Sequence, residues 1–150
     1  MTMRKGMQAG LAVLALVVWG PWLAGCGTTE DGTMLSGSNE VPANSSTAQG
    51  AATAELDGDE LVVTGEFSGL GSDLMPVSGS AAHIHNAPAG ANGPIVFNLE
   101  VTTSDNRSGT FTGRKTLSDD EKTAFETGNF YVNIHTANYP MGEIRGQFDP

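Results

Sequence analysis

Three histidines are the whole imidazole complement of this 150-residue chain, and their spacing is that of a ligand set. His83 and His85 stand two apart in Ala81-Ala-His-Ile-His85, and His135 closes the run Phe130-Tyr-Val-Asn-Ile-His135. Along a strand, successive side chains point to opposite faces, and two residues advance about 6.6 Å. His83 and His85 therefore share one face, with Ile84 on the other, and can lean together onto one ion. In the second run Phe130, Val132 and Ile134 alternate with Tyr131, Asn133 and His135, so His135 also stands opposite the apolar face. If the two strands are neighbours, the three imidazoles form one cluster. Neutral imidazole suits zinc, copper and nickel, and three histidines with an open fourth position are the pattern of a catalytic zinc. The same rings have a simpler use, as hydrogen-bonding partners of loop carbonyls such as those of Asn86–Gly93.

Tyr131, Asn133, Glu143 and Arg145 are expected on the histidine face. Glu143 could complete a coordination sphere or orient an imidazole from behind, and Arg145 could attract an anion near a metal. The four also read as a solvated strand face with a cross-strand ion pair. Asn92-Gly93-Pro94 reads as a turn. Met34, Met75 and Met141 are soft donors in principle but are isolated from one another. Asp119, Asp120 and Glu121 belong to the first turn of a helix and lack the spacing of a calcium loop. There is no Gly-x-Ser-x-Gly, no phosphate loop and no thiol beyond Cys26. These features support a binding domain better than an enzyme.

The elements that must position these side chains are short strands. Leu35–Pro42 is read as a strand that stops at a proline. Ala51–Leu56 and Leu61–Phe67 alternate on either side of Asp57-Gly58-Asp59, a hairpin signal. Ile95, Phe97, Leu99 and Val101 form the clearest inward row, followed by Ser108–Lys115 with Phe111 inward. Ser118-Asp-Asp-Glu121 is a capping box that opens a short helix ending near Gly128. Phe130–His135 and Glu143–Phe148 are the last strands. Ile84, Val132, Ile134, Ile144 and Phe148 join the inward set. Seven or eight strands with one small helix predict an all-β, antiparallel immunoglobulin-like β-sandwich or barrel with Greek-key connections.

The N-terminus predicts export. Arg4 and Lys5 precede an apolar run from Leu11 to Trp22 that is too short, and broken too early by Gly20-Pro21, to span a membrane comfortably. It closes on Leu23-Ala-Gly-Cys26, which resembles the bacterial lipoprotein signal, in which cleavage precedes a lipidated cysteine. The expected organisation is a signal peptide at 1–25, a lipidated Cys26 with a polar tether to residue 34, and a β domain over 35–150. Cys26 is the single cysteine, so no internal disulfide can form. The anchor would hold the protein on a membrane surface without spanning it. The outer membrane is favoured where there is one, because Gly27 and not Asp follows the cysteine. The net charge of −10 becomes −12 once Arg4 and Lys5 are removed. That balance argues against nucleic acid as a partner and suits cations.

Leu35-Ser-Gly-Ser-Asn-Glu-Val-Pro42, Ala81-Ala-His-Ile-His85, Asn92-Gly-Pro94, Gly128–His135 and Pro140-Met-Gly-Glu-Ile-Arg-Gly146, in this order, resemble the CHRD domain, named for chordin and widespread in bacterial exported proteins. The resemblance covers about Leu35 to Phe148 and implies an immunoglobulin-like sandwich. It implies little about function, since the growth-factor role of animal members does not transfer without their ligand. The His-x-His strand is also similar to that of copper–zinc superoxide dismutase, but this chain lacks that family's disulfide and cannot supply both of its metal sites. Three functions follow as expectations: a surface lipoprotein that binds copper or zinc through His83, His85 and His135; an adhesion or protein-interaction module of the cell envelope; and a copper redox enzyme.

Overall fold

The computed structural model describes residues 28–150, so the expected signal peptide and Cys26 lie outside the described residues. Eight antiparallel strands close into one barrel. They are β1 (Thr29–Ser36), β2 (Gln49–Asp57), β3 (Glu60–Ser68), β4 (Ala82–Asn86), β5 (Ile95–Thr103), β6 (Gly109–Thr116), β7 (Phe130–Ile134) and β8 (Ile144–Gln147). Around the barrel the order is β1-β2-β3-β6-β5-β4-β7-β8, and β8 returns to β1 through Ser36 opposite Arg145. The links from β3 to β4 and from β6 to β7 each pass over two strands. The second link carries α1 (Asp119–Glu126), where Ser118 and Glu121 form the expected reciprocal cap. Gly128, with φ of 74°, ends it in the left-handed region that glycine enters freely.

Period-two alternation fills the barrel. Ile84, Leu99, Phe111, Val132, Ile134, Ile144 and Phe148 are all buried in one apolar core, as the pattern predicts. Phe125 of α1 packs edge-on to Phe130, with ring centroids 6.0 Å apart, and closes one end.

Two local readings are corrected. Ile95 was expected inward with Phe97 and Leu99. A bulge between Ile84 and His85 sets Ile84 opposite Phe97 but His85 opposite Ile95. The extra residue reverses the facing beyond it: Ile95 joins the histidine face, and Val96 packs toward the core instead. The tether is also shorter than expected, because Thr29–Met34 already pair along β2 from Thr29 opposite Leu56 onward. The 3-10 turn Gly37–Asn39 then ends the strand before Pro42 is reached.

β4 and β7 lie side by side, with His83 opposite Asn133 and His85 opposite Tyr131. Both strands are buried on both faces. One face lines the barrel. The other is roofed by loops over residues 37–46, 72–80, 87–94 and 136–143, which make a second, polar interior outside the barrel wall.

Candidate metal centre

Strand pairing brings all three histidines together on that outer face. His135 follows β7 directly and keeps its ladder, its backbone N–H donating to the Ala81 carbonyl at 2.8 Å. Ring centroids are 5.6 Å apart for His83 and His85, 4.9 Å for His83 and His135, and 6.2 Å for His85 and His135. One nitrogen from each ring lies within 4.8 Å of the other two, and all three residues are buried.

Each ring is pinned from behind by a different loop. His83 Nε2 meets the Val77 carbonyl at 2.7 Å, His85 Nδ1 the Gly93 carbonyl at 3.0 Å, and His135 Nδ1 the Pro140 carbonyl at 2.9 Å. A carbonyl only accepts, so each of these nitrogens carries the proton. The opposite nitrogens, His83 Nδ1, His85 Nε2 and His135 Nε2, are then bare lone pairs, and each is buried without a hydrogen-bond partner. The loop-carbonyl use of the histidines and the ligand use are therefore compatible, since they engage opposite sides of each ring.

Burial also keeps the rings neutral. Desolvation is the main cause that lowers all three pKa values, and His135 falls to about 4. The bonds to the loop carbonyls oppose this shift, while mutual repulsion of the rings adds to it for His85 and His135. Neutral, deprotonated, convergent nitrogens are what a metal requires. Three buried, unpaired acceptors are costly, and one cation can share all three lone pairs.

The surrounding residues divide into two groups. Tyr131 stacks on His85 at 4.8 Å, nearly parallel, and Arg145 lies 3.5 Å over the Tyr131 ring. Gly93 N–H donates to the Tyr131 hydroxyl at 3.1 Å. The Arg145 guanidinium donates to Ala91 O, Asn92 Oδ1 and Gln147 Oε1, and it makes no ion pair among the described residues. Asn133 completes this inner group. Glu143 turns elsewhere. Its carboxylate accepts from Ser46 Oγ at 2.7 Å, Gly71 N–H at 2.8 Å and Thr136 Oγ1 at 2.6 Å. It staples three loops, and it is not among the ligand atoms that converge. No ion pair forms with Arg145, because Ser46, Gly71 and Thr136 take up the Glu143 carboxylate while Ala91, Asn92 and Gln147 take up the guanidinium.

Sequence reasoning passed over Glu40. Its carboxylate is buried beside Gly142 and Asn133, Oε1 has no partner, and desolvation raises its pKa to about 7 against the opposing pull of Arg145. The available signal was an acid inside Ser38-Asn-Glu-Val41, a segment otherwise free of charge. Gly93 has a second role besides the turn. A Cβ there would run into the Asn86 carbonyl oxygen, so only glycine lets this loop lie close enough to receive the His85 proton.

Residues 32–148 match the family model for the CHRD domain. No curated protein and no solved structure matches the chain significantly. The match takes in every strand except the first three residues of β1, and it includes all three histidines with the loops that pin them. The chain belongs to the CHRD domain family.

Proposed function

We propose that this domain holds one transition-metal ion, zinc or copper, on His83 Nδ1, His85 Nε2 and His135 Nε2. The observation that carries the reading is that these three buried nitrogens lack partners while their ring mates are all tied to carbonyls. In a tetrahedral site with bonds of about 2.0–2.1 Å, neighbouring donors stand about 3.3 Å apart. One nitrogen of each ring already lies within 4.8 Å of the others, so an inward lean of the rings closes the set. When bound, the ion would supply Lewis acidity or, as copper, one-electron chemistry. The chain's own residues fix tautomers through Val77, Gly93 and Pro140, bury the histidines under four loops, and keep Arg145 over Tyr131 as a nearby positive charge.

The setting we infer is an exported lipoprotein, tethered through Cys26 to a bacterial membrane, with the outer membrane favoured. Holding or delivering a metal at the cell surface fits this placement. The acidic chain suits cations. An adhesion module that works by strand addition is less well supported, because every described strand has a neighbour on each side and the barrel leaves no free edge. A copper redox enzyme needs an open coordination position. Equilibrium dialysis of tag-free protein against zinc or copper tests the reading. One ion per chain should bind, and His83→Gln/His85→Gln should abolish it. Binding that survives the double variant contradicts the site.

A further inference from the structure

We propose that Asn133 Oδ1 is the fourth donor, closing the sphere as three imidazole nitrogens and one amide oxygen. The inference rests on the three-histidine reading. Asn133 stands in the middle of β7, opposite His83 on β4 and Arg145 on β8, and it shares the outer face with all three histidines. It is 3% exposed. Its Nδ2 donates to the Met141 carbonyl at 3.3 Å and borders the same spot beside Gly142 as the unpaired Glu40 Oε1. The Met141 carbonyl fixes the amide, since turning it over would set oxygen against oxygen. Oδ1 therefore faces away from it, and it is buried without a partner.

Oδ1 thus shares the roofed outer face with three bare ring nitrogens, and all four are buried acceptors. Leaving a buried acceptor unpaired costs about 1–3 kcal/mol. A single cation satisfies all four at once. An amide oxygen is a hard, neutral donor, so the set favours zinc(II) or copper(II) over copper(I). A closed four-donor sphere leaves no position for a reacting molecule, which is the mark of a holding site and not of a catalytic one.

The test uses copper(II)-loaded protein and reads water-proton relaxation, which reports exchangeable water on the ion, together with copper affinity. Wild type should show little exchangeable water. Asn133→Ala should still bind one ion through the histidines, at least tenfold more weakly, and should gain a water. Asn133→Asp keeps the shape and makes the oxygen anionic, so it should bind at least tenfold more tightly with no water gained; it serves if the alanine variant does not fold. Wild type with a full exchangeable water, or either variant with unchanged affinity and relaxation, overturns the assignment while leaving the three histidines standing. Loss of histidine-dependent binding in wild type itself overturns both.

Discussion

Replacing His135 with glutamine removes a base that the fold keeps uncharged, and the consequence for stability has a definite sign. Burial pulls the His135 pKa from 6.5 to about 4, opposed by its bond to the Pro140 carbonyl and assisted by repulsion from His83 and His85. In the unfolded chain the ring takes its proton near 6.5. Between these values the unfolded state binds more protons, so acid favours unfolding. The stability tied to this group is fully present above pH 6.5 and is lost as pH falls to about 4. The gap is worth on the order of 3 kcal/mol, since each pKa unit is about 1.36 kcal/mol. The glutamine side chain retains an N–H for the Pro140 carbonyl and does not titrate. Denaturant unfolding of metal-free wild type and His135→Gln, from pH 7.5 to 4.5, gives the difference directly, and the exposed carboxylates cancel in it. The wild-type advantage should shrink by up to about 3 kcal/mol across that range. A difference that stays constant with pH would mean that His135 is not held neutral by burial, and the argument for bare ring nitrogens would fail with it.

Glu40 has the opposite sign. Its folded pKa of about 7 lies above the ordinary 4.5, so its contribution is greatest below pH 4.5 and is lost as pH rises through 7. Glu40→Gln should therefore be more stable than wild type at pH 7.5 and lose that advantage by pH 4.5; a variant less stable throughout counts against a buried, destabilised carboxylate. Gly93→Ala should displace the loop that receives the His85 proton, lowering both the melting temperature and metal affinity, whereas unchanged affinity would separate that loop from the site. Phe130→Ala, fully buried against Phe125 and the barrel core, should cost about 3–5 kcal/mol in denaturant unfolding. A cost below about 1 kcal/mol would place Phe130 outside the core.

The facing of the histidines was legible because alternation is local. Ile84, Val132 and Ile134 are apolar neighbours that force His83, His85 and His135 to the other side, and the structure keeps that facing. Adjacency was not legible. β4 and β7 are separated by two strands and a helix in sequence, and nothing in either segment encodes the pairing. The bulge at His85 was equally hidden, because Ile95-Val-Phe reads as unbroken alternation until its partner strand is known. The roof was legible only in part: carbonyls of the Asn86–Gly93 loop were expected as partners of the histidines, but not a cover over the whole face. Loops rich in Gly, Pro and Asn look like solvent-exposed turns, yet Val77, Gly93 and Pro140 turn their carbonyls inward and make an outer strand face into an interior. Glu143 shares a spacing with the site but not its company, because Ser46, Gly71 and Thr136 reach it first.

The most direct measurement is the nitrogen-15 spectrum of the three imidazoles near neutral pH, recorded without metal and then with one equivalent of zinc. Without metal, the account predicts three neutral rings, protonated at His83 Nε2, His85 Nδ1 and His135 Nδ1. Zinc should then move the resonances of His83 Nδ1, His85 Nε2 and His135 Nε2, leaving the three protonated nitrogens in place. Charged rings, the opposite tautomers, or zinc shifts at fewer than three histidines would contradict the metal centre.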